Sequence, residues 1–157
     1  MKSKFILLAF FLLLLLALAG CGKTGATDAA GKKIYPPDEQ GYVMIDGEEK
    51  KLEKGNYFWE LKKGLSSEVI QTDAASPNQI AENVEAISAP PDTEMSFKLV
   101  GDPTITVYLW NEQDREKEIE LQDEKFHTPT EKGRYIYEVL AKWDNGEISY
   151  TYVIELE

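Results

Sequence analysis

The side chains best suited to chemistry are few in this chain. It holds one cysteine, Cys21, one histidine, His127, and 28 acidic residues against 17 basic ones. A Ser or Thr nucleophile would have to use His127 as its base, with an acid to orient the ring, and no Gly-x-Ser-x-Gly marks such a nucleophile. Phe126-His127-Thr128-Pro129 reads as a loop ahead of Gly133, which makes His127 an exposed loop residue. Two carboxylates can hydrolyse a glycosidic bond, but among 28 acids pairs arise by abundance alone. Asp38-Glu39, Glu48-Glu49 and Asp114 to Glu118 read more simply as solvated loops and turns. Asp144-Asn145-Gly146-Glu147 offers oxygen ligands without the spacing of a calcium loop, and a zinc site draws on several Cys and His ligands. The expectation is a chain with no catalytic residue, no metal and no cofactor.

Aromatic residues are the remaining lead. In an extended chain Tyr57 and Trp59 share one face with Phe58 on the other, and Tyr108 and Trp110 oppose Val107 and Leu109. A Trp/Tyr platform facing solvent and ringed by acids stacks on wall sugars or grips a basic partner segment. The competing role is core packing, which a small domain without disulfides needs from its large rings. The acidic balance, a formal net charge of −11, argues against nucleic acid, because binding phosphates takes a basic footprint. It also repels anionic lipid headgroups.

Lys2 and Lys4 are followed by Phe5 to Gly20, a run without charge or proline, which is a signal-peptide layout. At 1.5 Å per residue this run is roughly 24 Å long, short of the roughly 30 Å that a spanning helix must cross. Its end, Leu18-Ala19-Gly20-Cys21, resembles the lipobox of bacterial lipoproteins: an aliphatic residue, two small ones and a cysteine. The resemblance covers only the front of the chain. It implies cleavage between Gly20 and Cys21, with S-diacylglycerol on the Cys21 sulfur and an N-acyl group on its amine. Several acyl chains then hold the protein, each buried CH₂ contributing about 0.8 kcal/mol. The alternatives are an ordinary secretory signal or an uncleaved helix of the same orientation, with Lys2 and Lys4 in the cytoplasm. An ordinary signal does not need a cysteine there, and a lone free thiol in an exported chain is a liability.

The implied location is the outer side of a bacterial cell membrane, with the lipid anchor as membrane partner and an envelope protein, peptide or glycan as the ligand. Gly22 to Lys33 has no large apolar residue and reads as a flexible spacer, about twelve residues reaching roughly 20 Å. The organisation is therefore a signal peptide over 1–20, an acylated tether over 21–33 and one domain over 34–157.

The domain must be built mostly from strands. Tyr42 to Ile45 precedes the turn pair Asp46-Gly47, and Asn56 to Leu61 and Glu68 to Thr72 follow with β-favouring side chains. One helix is argued by its ends: Ser76 caps it, Pro77 suits its first position and Gln79 completes a capping box. Ile80, Val84 and Ile87 then share a face, which predicts a short helix over about 77–87, ended by Ala89-Pro90-Pro91. After that the period is two: Met95, Phe97 and Leu99; Ile105, Val107 and Leu109 beyond Gly101-Asp102-Pro103; Ile119 and Leu121. Tyr135, Tyr137, Val139, Ala141 and Trp143 share a face, Asp144-Asn145-Gly146 reverses the chain, and Ile148, Tyr150, Tyr152, Ile154 and Leu156 share another. The opposite faces are mixed, with Ile136, Leu140 and Val153 among Glu138, Lys142 and Glu155, so this hairpin is expected to be covered in part on both sides.

Such a series predicts an antiparallel β-sandwich. Glu131-x-Gly133-x-Tyr135-x-Tyr137 resembles the strand of immunoglobulin-like domains that carries the tyrosine corner, with Tyr137 where those domains usually have cysteine. On that resemblance Trp110 would be the buried core tryptophan. The resemblance implies a fold and no activity. Ser76 to Ala81 and the terminal hairpin also resemble Gram-positive lipoproteins of unassigned function, which adds location and not chemistry. Three functional classes follow: a binding or accessory module; a structural or protease-inhibitor-like module using the loop Asp123 to Glu131; and a hydrolase built on His127.

Overall fold

The computed structural model describes residues 40–157; the stretches expected to be a signal peptide and a tether, with Leu18, Ala19, Gly20 and Cys21, and Asp38-Glu39 lie outside the described residues. The domain is mainly β. In chain order its elements are β1 (Tyr42–Ile45), β2 (Glu48–Lys51), β3 (Glu53–Lys63), β4 (Ser66–Thr72), helix α1 (Pro77–Ala81), β5 (Ile87–Ala89), β6 (Glu94–Lys98), β7 (Thr104–Trp110), β8 (Arg115–Ile119), β9 (Lys125–His127), β10 (Gly133–Trp143) and β11 (Gly146–Leu156). They make a smaller sheet in the order β2-β1-β6-β9 and a larger one in the order β4-β3-β11-β10-β7-β8, with β5 also against β11. Neighbours run antiparallel except β5 and β11, where Ile87 to Ala89 lie parallel to Ile154 to Leu156. The result is the β-sandwich that the alternation predicts.

Period-two patterning decides what is buried. Val43, Met95 and Phe126 from the smaller sheet meet Val107, Val139, Ile148, Tyr150 and Ile154 from the larger one. Aromatic rings cross the interface between the sheets: Phe126 lies 5.6 Å from Tyr137, Phe97 lies 6.2 Å from Tyr152, and the two tyrosines stack at 5.1 Å. Such pairs contribute about 0.5–1.5 kcal/mol each beyond the area they bury. Asp46 and Gly47 have φ of 50° and 80°, the left-handed pair that a two-residue hairpin turn between β1 and β2 requires. At the other hairpin a Cβ on Gly146 would stand 2.5 Å from the Phe58 carbonyl oxygen, so only glycine lets β3 approach there.

The tyrosine corner is formed. The Tyr135 hydroxyl donates to the Glu131 carbonyl at 3.0 Å and pins the turn that feeds β10. Tyr135→Phe removes that one bond, and chemical denaturation should show a loss of about 1 kcal/mol with the fold retained.

Trp110 does not fill the second position of that resemblance. It faces away from the core, and the buried indole is Trp59, 2% exposed and 5.2 Å from Trp143. The helix is also shorter than its pattern. Ser76 and Gln79 form the capping box, but α1 stops at Ala81, and the Asn83 N–H donates to the Ile80 carbonyl in a tighter turn. Ile87 leaves the helical face to pair with Ile154.

Three stretches read as loops are strands. Glu48-Glu49 belongs to β2 and Glu116 to Glu118 to β8, while Phe126 and His127 belong to β9. All three strands are sheet edges, where side chains stand in water and charge is tolerated. The mixed face of the β10–β11 hairpin is covered as expected. Helix α1 lies over it, Ala81, Thr151 and Val153 are buried, and Arg134 donates to the Ala81 carbonyl at 2.8 Å.

Candidate functional site

The outer face of the larger sheet carries a buried carboxylate. On β10, Glu138 sits between Ile136 and Leu140 on the side opposite the core; its neighbours in register are Tyr108 on β7 and Thr151 on β11. Glu138 is 4% exposed, and a buried charge is tolerated only when it is paired and hydrogen-bonded. Here it has four donors. Arg115 Nε and Trp110 Nε1 each donate to Oε2 at 2.8 Å, and a second Arg115 nitrogen and Ser149 Oγ each donate to Oε1 at 2.9 Å.

Local geometry delivers each partner. Leu109 pairs with Lys117 but Trp110 with Arg115, so β8 holds one extra residue, Glu116, in a bulge that turns Arg115 onto the face of Trp110. The connection between β7 and β8 is tied by Asn111 Oδ1, which accepts from the backbone of Gln113 at 2.8 Å and of Asp114 at 2.9 Å. A second bulge lies in β3, where Gly55 and Asn56 together oppose Ser149. A Cβ on Gly55 would crowd both Ile80 and the Ser149 carbonyl at 3.3 Å. The Arg115 guanidinium lies 4.1 Å from the centre of the Tyr108 ring, within cation–π range.

The electrostatics follow from the contacts. Burial is the strongest single influence on the Glu138 carboxyl and acts to raise it, but the bonds from Arg115, Trp110 and Ser149 together outweigh it and hold the group below its ordinary value. The same bond from Glu138 raises Arg115. An ionised carboxylate with its acceptor sites filled neither takes a proton from a substrate nor attacks one. It acts as a brace that fixes Arg115 and Trp110 beside Tyr108.

Around this brace lies an open trough. One end, of about 470 Å³, is bounded by Asn56, Phe58, Gln71, Thr72 and Asp73; the other, of about 410 Å³, is bounded by Ala75, Pro77, Trp110 and Asp114. Asn56, Arg115, Glu138 and Ser149 belong to both. The segment from Thr72 to Pro77 forms one wall. It is held by Asn56, whose side chain accepts from the Ala74 N–H, and by Asn78, which donates to the Asn111 carbonyl at 2.8 Å.

The aromatic candidates therefore separate. Trp110 lines one end of the trough and Tyr108 lies against Arg115, while Trp59 is in the core and Tyr57 is half-buried against it. Phe58, the ring between them, is the exposed one, at 43%. Arg115, Glu138 and Ser149 carry no motif; the sequence signal for them is a lone acid between two apolar residues on a strand whose other face is core. His127 stands elsewhere, exposed, with Nδ1 3.2 Å from Asp92 Oδ1 and 3.0 Å from the Asp92 carbonyl. Asp123 to Glu131 is not a protruding loop, because β9 runs within it and Phe126 and Thr128 are buried. Among the described residues no group of three or more His, Cys, Asp or Glu is arranged to hold a metal ion. Compared with protein-family models, with curated proteins and with solved structures, the chain has no match.

Proposed function

We propose that this chain is a lipoprotein, held by acylated Cys21 on the outer side of a bacterial membrane, and that its domain is a non-catalytic binding module. The ligand class that suits the trough is a hydroxyl-rich one such as an envelope glycan. The observation that carries this reading is the saturated Glu138. It leaves the trough with half-exposed rings, one edge of a guanidinium, and the amide and hydroxyl groups of Asn56, Gln71 and Thr72. Rings stack on the apolar face of a sugar, and planar donors and acceptors match its hydroxyls. The placement of β9 within the smaller sheet weighs against an inhibitory loop at Asp123 to Glu131.

Two measurements test the two halves of the proposal separately. Cys21→Ser should leave an unprocessed precursor or release the protein from the detergent phase; unchanged partitioning and unchanged mature size would refute the anchor. Phe58→Ala in the otherwise intact protein should weaken binding of soluble cell-wall glycan fragments at least tenfold by calorimetry. Equal binding by both forms, or none by either, would refute the trough as the site.

A further inference from the structure

A second concavity opens at the side of the sandwich, where β8 ends the larger sheet and β9 ends the smaller. Each of these strands is paired along one edge only, so the other edge of β8 presents backbone N–H and C=O groups with no strand to receive them. The cleft between them, about 1030 Å³, is larger than the trough. Its floor is apolar, formed by Leu109, Ile119, Phe126 and Tyr137, and its rim carries the carboxylates of Glu94, Glu118, Glu120, Asp123 and Glu131 against Lys117 and Lys125. Lys125 is itself bound to Glu94 at 2.9 Å, which leaves Glu118, Glu120, Asp123 and Glu131 against Lys117.

Tyr137 places a hydrogen-bond donor at the cleft. It is 1% exposed and lines the cleft, yet its hydroxyl has no hydrogen-bond partner among the described residues, whereas the hydroxyl of neighbouring Tyr135 is satisfied by Glu131. Burial raises the Tyr137 phenol above its ordinary value, so it stays a neutral donor. The Tyr137 hydroxyl is not among the sealed polar atoms that lack a partner, so water meets it at the cleft until an acceptor on a ligand replaces that water.

We infer that this edge cleft docks an extended, basic peptide segment of a partner protein, which adds a strand to β8. Main-chain bonds to β8 hold the segment, alternate apolar side chains enter against Ile119 and Leu109, and lysine or arginine side chains meet the acidic rim. A carbonyl of the segment accepts from Tyr137. This inference is independent of the trough, which faces the other side of the same sheet and suits a neutral ligand.

The test uses the full chain with two fluorescent ten-residue probes, one alternating lysine with valine and one alternating glutamate with valine. The lysine probe is expected to bind at least tenfold more tightly, with an affinity that falls several-fold between about 50 and about 300 mM salt. The paired reversal Glu120→Lys with Glu131→Lys should abolish that preference, and Tyr137→Phe, which changes one atom, should weaken binding about two- to tenfold. Amide shifts on adding the lysine probe should map to Arg115–Ile119. Equal binding of the two probes, no effect of the charge reversal, or shifts confined to Tyr108 and Trp110 would each overturn the inference. Glycan binding at the trough should be untouched by the reversal, so failure at one site is distinguishable from failure at the other.

Discussion

Glu138→Ala is expected to destabilise the domain by about 3 kcal/mol, the lower part of the range for removing one partner of a buried ion pair. The substitution leaves the Trp110 indole N–H, the Ser149 hydroxyl and the Arg115 guanidinium without their acceptor. Arg115 is 41% exposed at its side chain, so water recovers part of its loss, which is why the upper part of that range is not expected. Glu138→Gln keeps the shape and one acceptor oxygen and should cost roughly half as much. The pH dependence has a definite sign. Because the folded carboxyl lies below its ordinary 4.5, its contribution is fully present above that value and is lost as pH falls through the folded one. The urea midpoints of the wild type and Glu138→Gln should therefore draw together on acidification below about pH 4.5. A gap that stays constant from neutral pH to about pH 3 would show that the charge of Glu138 does not contribute.

Trp59→Ala should cost about 3–5 kcal/mol, as large-to-small changes at buried aromatic positions do, while Phe58→Ala, one residue away, should stay within about 0.5 kcal/mol. The difference is which face each ring occupies. Trp59 packs 5.2 Å from Trp143 inside the sandwich, and Phe58 lies in the wall of the trough. Trp59 Nε1 is buried with no hydrogen-bond partner among the described residues, so the indole serves the core through its bulk alone. Trp59→Phe should therefore recover more than half of what alanine loses. Thermal unfolding ranks the three variants, and loss of the near-ultraviolet dichroism of the Trp59–Trp143 pair reports the packing directly. If Trp59→Ala and Phe58→Ala unfold at the same temperature, the register assigned to β3 is wrong.

That register is also where the sequence stops being legible. The hairpin over 133–156 can be read from residues alone, since two long period-two runs flank a turn and both inner faces are uniformly apolar. In β3 the pattern Tyr57-Phe58-Trp59 puts large rings on both faces, and only the pairing of Tyr57 with Ile148 and of Trp59 with Gly146 decides which side is core. Strands β2, β8 and β9 were hidden for a related reason. An edge strand buries little, and Arg115-Glu116-Lys117-Glu118 has no apolar alternation to detect. The helix was overestimated because Ile80, Val84 and Ile87 satisfy helical spacing, whereas Ile87 is used by a parallel partner nearly seventy residues further along the chain.

The site was legible in the same uneven way. Tyr108 and Trp110 could be named, and their common face was correct, but Arg115 reaches them only through the extra residue at Glu116. A bulge shifts phase without changing composition. Glu138 appeared only as an interruption between Ile136 and Leu140, and four donors drawn from three strands turn that interruption into a brace.

The position of β11 has a consequence for how the domain is made. It is bordered by β10 on one side and by β3 and β5 on the other, and Glu53 meets Thr151 across most of the described length. Long loop closures of this kind slow folding. A chain emerging front first, from a ribosome or a translocation channel, would hold β3 paired with β4 alone and Trp59 wet until residues 146–156 followed. The larger sheet then closes as one late event, with the smaller sheet's hairpin β1–β2 waiting beside it.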